Sequence, residues 1–167
     1  MLEVAVDADE EWDCSNSWDI LARRAAEAAV AESAFPELAA IERPVEISVT
    51  ITGDDQVREL NVKWRSKDQP TNVLSFPMAS KQDLTSATFF RSELLLGDII
   101  LARGVCSREA ADKGIPIEQH AAHLLVHGTL HLLGYDHAND AEAADMEARE
   151  VRALARLGVA NPYEVSA

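Results

Sequence analysis

The chain has 167 residues, of which 47% are hydrophobic and 26% charged, with a formal net charge of −14. Such a composition suits a globular protein that can bury a real core, and the negative charge argues against a broad basic face that coats nucleic acid. No apolar run approaches the roughly 20 residues of a membrane span, and the acidic start MLEVAVDADEEWD lacks the basic region of a secretory signal. Charge is uneven, however. Residues 58–114 carry nine Lys or Arg against seven Asp or Glu, a local net of +2 that leaves −16 for the rest. A locally basic site within an acidic shell stays open to an anionic substrate, with selective binding. Cys14 and Cys106 form no CxxC pair, so a reducing, cytoplasmic setting is expected and both read as packing or surface residues.

In chain order, LEVAVD (2–7) alternates apolar and polar residues and predicts a strand. SWDILARRAAEAAVAES (17–33) places Ile20, Leu21, Ala25, Ala28 and Ala29 on one helical stripe, with Ser17 as N-cap. PVEISVTITG (44–53) is a β-branched strand closed by Gly53. DDQVRELNVKWR (54–65) opens with two carboxylates that favour a helix start, and Val57, Leu60 and Trp64 make its apolar face. TNVLSFP (71–77) is strand-like, and the prolines at its borders place it at a sheet edge. Residues 78–93 lack a period and read as a loop. LLLGDIILA (94–102) predicts a buried strand. SREAADKG (107–114) predicts a short helix closed by Gly114. A longer helix runs from Pro116 to about Leu133 and ends at Gly134. The last helix, 140–158, has Asp140 as cap and Gly158 as stop. No repeat or linker divides the chain. The expectation is one α+β domain over residues 1–167, with a small mixed sheet, packed helices and a metal-binding helix near the C-terminus.

All five histidines lie in HAAHLLVHGTLHLLGYDH, residues 120–137. Helical residues four apart sit about 40° apart on one face, so His127 and His131 can bind one ion from consecutive turns. Gly134 permits the left-handed backbone that turns the chain back, and His137 then returns toward the same ion. Three nitrogen ligands with no fourth protein ligand match a catalytic zinc that keeps one position for water. A lone histidine at helical spacing is usually packed or solvated; three with an intervening glycine form a pattern. His123 continues the stripe one turn earlier and reads as a core residue or a support for the ligands. His120 reads as structural or solvated. Asp136 is either an orienting partner for a ligand imidazole or a turn residue. Zinc peptidases of the H-E-x-x-H-x-x-G-x-x-H type carry their general base at the position held here by Gly128, so proteolysis by that route is disfavoured.

HGTLHLLGYDH (127–137) resembles the signature of the bacterial YbeY family of metal-dependent endoribonucleases. LNVKWRSKDQPTNVLSFP (60–77) is similar to that family's LNxxYRxxDxPTDVLSFP segment, and LGDIIL (96–101) to its LGDI element. The resemblance implies one zinc held by His127, His131 and His137, and a functional Arg65 beside it. It also implies single-stranded or ribosomal RNA as substrate, at the 3′ end of 16S rRNA, with small-subunit ribosomal proteins and a ribosome-assembly GTPase as partners, and no membrane. Arg65 suits the part, since a guanidinium contacts two phosphate oxygens at once, and Lys63 and Lys67 flank it. Two positions depart from the pattern: Trp64 replaces a common Tyr, and Asn72 replaces the usual Asp, which removes a charge. Asp98, inside a strand, needs a partner and is expected to brace Arg65 or a backbone turn. Two alternatives stand beside this reading. One is a metallopeptidase-like hydrolase with a base from outside the motif, for which Asp136 is the nearby candidate. The other is a non-catalytic ribosome assembly factor with a structural zinc.

Overall fold

The computed structural model describes residues 1–8, 17–66, 71–89 and 92–163. Cys14, Lys67 and the capping contact expected of Ser17 lie outside the described residues. Four strands form a mixed sheet in the order β1-β2-β4-β3. β1 (Leu2–Ala8), β2 (Val45–Thr52) and β4 (Leu94–Ala102) are parallel, and β3 (Val73–Pro77) runs antiparallel to β4 at the edge. The α+β reading and the edge position of TNVLSFP are both met.

One face of the sheet carries α1 (Ser17–Ala31) and α5 (Ile117–Leu132), and it holds the main core. Side chains alternate across the strands. Ile99 and Leu101 point into this core, whereas Leu74 and Ala102 join Val57 of α2 (Asp54–Arg65) in a smaller cluster on the other face. α6 (Asp140–Arg156) packs on α1 and α5 through Met146, Ala153 and Leu154. Arg152 and Arg156 pair with Glu32 at the end of α1, and Arg149 donates to the Glu32 carbonyl. α5 is apolar almost all round, which is the signature of a helix inside the core; among its buried residues are Ala121, Leu125, Val126, Leu130 and Leu132.

Two glycines set how closely these layers approach. A Cβ on Gly97 would lie 2.2 Å from the Phe76 carbonyl oxygen and 2.8 Å from Leu132, at φ +142°. The register of β2 against β4 slips beside it, between Glu46 and Ile47, as expected where a bulge bends a strand. A Cβ on Gly128 would meet Ile99 at 3.1 Å, so α5 rests directly on β4 there.

Several expected boundaries move. The supposed loop 78–93 contains α3 (Lys81–Thr85), started by a reciprocal capping box between Ser80 and Asp83, and a 3-10 turn at Ala87–Phe89. The short helix before Gly114 is α4 (Arg103–Lys113), four residues longer at its start than the 107–114 reading. The cap of α6 is Asn139, whose side chain accepts from the Glu142 amide, and Asp140 is the first helical residue. α1 stops at Ala31 because the Ser33 hydroxyl turns back to the Val30 carbonyl, 2.7 Å away. Cys106 is packed in the core, where burial pushes its thiol up to about 12, so it is inert at neutral pH. Trp64 departs most from expectation. The spacing puts it on the buried face of α2 with Val57, yet it is 61% exposed.

Gly97→Ala is expected to destabilise the fold by about 1–3 kcal/mol, since the methyl group clashes with backbone at a φ that side chains avoid. Urea unfolding at neutral pH checks it.

Candidate metal centre and cleft

The C-terminal end of α5 is built to turn back. The Tyr135 amide bonds the Leu130 carbonyl and the Gly134 amide bonds the His131 carbonyl, each at 3.0 Å, and Gly134 takes φ +95°. This is the double hydrogen bond of a Schellman motif, which needs a left-handed residue at that position. The positive φ expected of Gly134 is therefore found. The reversed chain brings His137 back to the two helical imidazoles, and one ligand nitrogen from each of His127, His131 and His137 falls within 4.8 Å of the others.

The orientation of two of these rings is fixed from behind. His131 Nδ1 lies 2.8 Å from the Tyr135 carbonyl, which can only accept, so Nδ1 carries the proton and Nε2 presents a lone pair. His127 Nδ1 bonds the Glu150 carboxylate. Burial pushes Glu150 up, but hydrogen bonds from His123, His127 and Tyr163, with the charge of His127, outweigh it and hold the carboxyl at about 2. Glu150 is therefore an acceptor, and His127 too presents Nε2. The two Nε2 atoms are 3.0 Å apart. Lone pairs facing at that distance repel unless a cation lies between them. Two nitrogens on one tetrahedral zinc would be about 3.3 Å apart, so the donor set fits a metal ion. Burial, followed by the neighbouring His127, lowers His131 to about 4, which keeps its nitrogen unprotonated for an ion at neutral pH.

Glu150 and Tyr163 escaped the sequence reading. Glu150 is fully buried, receives the Tyr163 hydroxyl on its second oxygen, and lies 3.4 Å from His123 Nε2. Its sequence signal is a charge on the apolar stripe of α6, in step with Met146, Ala153 and Leu154. His123 thus supports the ligands through Glu150, one of the two roles expected of it. His120 is structural: it is 2% exposed and its Nε2 lies 2.9 Å from Glu109. Asp136 accepts from the His137 amide at 2.8 Å, while the His137 ring nitrogen is 3.9 Å away, so Asp136 fixes the turn rather than the imidazole. Orientation falls instead to Glu150 and the Tyr135 carbonyl.

A cleft of about 590 Å³ opens beside the histidines, lined also by Asn61 and Arg65 of α2 and by residues of β3. The structure therefore brings Arg65 and the three histidines to one cavity, across the edge strand. Arg65 donates to the Ser75 carbonyl at 2.9 Å, which anchors its guanidinium on β3. Asp98 does not brace it; that side chain is exposed on β4. Asn72 also lines the cleft, and its amide donates to Glu109 at 3.0 Å. Burial pushes the Glu109 carboxyl up, yet hydrogen bonds from His120 and Asn72 hold it below its usual range. A carboxylate at 72 would repel Glu109, so the amide suits this chain.

The fold and site define an α+β protein in which two histidines of the central helix and one from the turn after it could together hold a metal ion, beside a cleft bearing an arginine. The family model described as Endoribonuclease YbeY matches residues 8–158. Proteins carrying that same name are similar over nearly the whole chain. The Rhizorhabdus wittichii protein is 50% identical, covering 99% of each chain. The Novosphingobium aromaticivorans protein is 51% identical over 96% of this chain and 95% of its own. The solution structure of TM1509 from Thermotoga maritima shares the fold, with a TM-score of 0.55 and 19% identity over 98% of this chain and all of that one. The chain belongs to the endoribonuclease YbeY family. No helix among the described residues is long and apolar enough to cross a membrane.

Glu150→Gln is expected to weaken metal binding by roughly 10–100-fold, since a neutral amide orients His127 less firmly. Gly134→Val is expected to weaken it as well, by straining the turn that delivers His137. Competition titration of each metal-free variant against a zinc chelator, with thermal unfolding as control, measures both.

Proposed function

We propose that the protein is a zinc-dependent endoribonuclease that cuts single-stranded RNA, with one zinc on His127, His131 and His137, and that it acts on ribosomal RNA at the 3′ end of 16S rRNA in the cytoplasm. Contacts with small-subunit ribosomal proteins and an assembly GTPase belong to the same proposal, through the family resemblance. The observation that carries the chemistry is the shared cleft: an anchored guanidinium and three convergent imidazoles face one cavity.

When bound, zinc supplies a Lewis acid and lowers the pKa of water toward about 7. The chain's own residues do the rest. Glu150 and the Tyr135 carbonyl hold the protons on the Nδ1 atoms of His127 and His131, which keeps both Nε2 atoms available. Arg65, held by Ser75, places positive charge where a phosphate gains negative charge during cleavage. A fixed donor of this kind needs no reorganisation as that charge develops. β3 and the 134–137 turn wall the cavity, so an extended strand fits it better than a duplex.

A peptidase has less support. Its general base would stand at Gly128, which faces Ile99 instead of the cleft. Asp136 remains the outside candidate, although it is tied to the His137 amide.

The decisive experiment is cleavage of single-stranded RNA and of a peptide panel by wild type, zinc-stripped protein, Arg65→Ala and Arg65→Lys. RNA should be cut and peptides spared. Stripping should abolish cleavage and leave a folded protein, as a catalytic rather than structural ion requires. Arg65→Ala should lose roughly 10²–10³ in rate with zinc retained, and Arg65→Lys should be nearly as poor because an ammonium cannot make the paired contact. Full activity of Arg65→Ala would remove Arg65 from the mechanism.

A further inference from the structure

Trp64 is not among the residues that line the metal cleft. A helix-end indole that stays 61% exposed forgoes the burial that usually holds a tryptophan in a protein. It is nevertheless held in place. Its ring packs edge-to-face on Phe76 of β3, with centroids 6.4 Å apart and an angle of 65° between planes. The Lys63 ammonium lies 5.1 Å from the indole centroid. Phe76 is shared, because the Arg65 guanidinium sits 5.9 Å from the same ring. The indole is thus one ring away from the arginine that lines the metal cleft, and two cations flank it within residues 58–114, where the local net charge is +2.

We propose that Trp64, propped by Phe76 and flanked by Lys63 and Arg65, is a stacking subsite for a nucleobase of single-stranded RNA entering the metal cleft. This rests on the ribonuclease reading and adds a binding position to it. A flat aromatic ligand with an attached anion matches all parts of the platform. The base covers the indole face, and the adjoining phosphates meet Lys63 and Arg65. Stacking tolerates every base, because each has a π face, and it is strongest for purines. The platform therefore gives affinity and a purine preference without a hydrogen-bond code. An extended protein segment would also cover an indole, but it has no regular spacing of anions to satisfy both cations.

The test uses the zinc-loaded full chain, its Trp64→Ala and Trp64→Phe variants, and cleavage-resistant 2′-O-methyl oligoadenylate and oligouridylate. Wild type should bind oligoadenylate more tightly. Trp64→Ala should lose roughly 10-fold for oligoadenylate and less for oligouridylate, whereas Trp64→Phe should keep most of the affinity. Oligoadenylate should quench wild-type tryptophan emission, and the Trp64 share of that quench should vanish in Trp64→Phe, which leaves Trp12 and the buried Trp18 as emitters. With cleavable RNA, Trp64→Ala should raise KM at nearly unchanged kcat. Unchanged affinity and unchanged adenine preference in Trp64→Ala, with Trp64→Phe still quenched like wild type, would overturn the subsite. If that result came with normal RNA cleavage, the ribonuclease reading would survive alone. If wild type cut no RNA but kept a Trp64-dependent preference for adenine, the ribonuclease reading would fall and the subsite would stand.

Discussion

Two imidazole nitrogens that face each other across 3.0 Å are the constraint around which this protein is organised. Neither could be held so without a fixed acceptor behind it. For His131 the acceptor is a backbone carbonyl in the Schellman turn, so the motif that ends α5 also orients an imidazole of the cluster. For His127 it is a buried carboxylate from another helix. Burying a charge is costly unless it is fully hydrogen-bonded, and Glu150 meets that condition through His127, His123 and Tyr163. α6 is therefore more than cover for the core. The cluster of Arg149, Arg152 and Arg156 on Glu32 ties α6 to α1. Exposed ion pairs of this sort contribute little each, but they converge on the helix that delivers Glu150.

Close packing meets the histidine motif at Gly128. The position that carries a general base in the related peptidase motif is here pressed onto Ile99. A side chain there would push α5 off β4 and move both helical histidines. The same motif spacing is thus compatible with a histidine helix that lies flat on a sheet, and the other charged group of the cleft, Arg65, comes from across it. Arg65 reaches in over the edge strand from α2, on the opposite face of the sheet from α5. A sheet edge is the one place where elements from the two faces can meet around a common cavity. The mixed order β1-β2-β4-β3 puts the short antiparallel strand there.

Much of this was legible in the sequence. An alternating run marked β1, a β-branched run β2 and a continuous apolar run β4, and the prolines around TNVLSFP marked the edge position of β3, because proline cannot serve a central ladder. The histidine spacing pointed to the convergence of His127, His131 and His137, since residues four apart share a helix face and a glycine three later lets the chain reverse. Other features were hidden for physical reasons. Ser80 and Asp83 cap a helix of only five residues, too short to show a period. Asn139 and Asp140 are equally good caps by type, and only the hydrogen bond to Glu142 chooses between them.

The sequence by itself determined most of the elements, the histidine trio and the turn that gathers it, because each follows from local backbone geometry. Tertiary structure decided which distant groups complete the site. Glu150, 23 residues from His127, becomes its partner only when α6 docks. Asp136, adjacent to His137, remains a turn residue because its carboxylate is spent on the backbone. Trp64 has the helical phase of a buried residue, yet α2 ends where the sheet ends, and no layer lies beyond β3 in the described structure to bury it. Periodicity reports which face of an element is apolar. Where the neighbouring layer stops is a property of the whole fold.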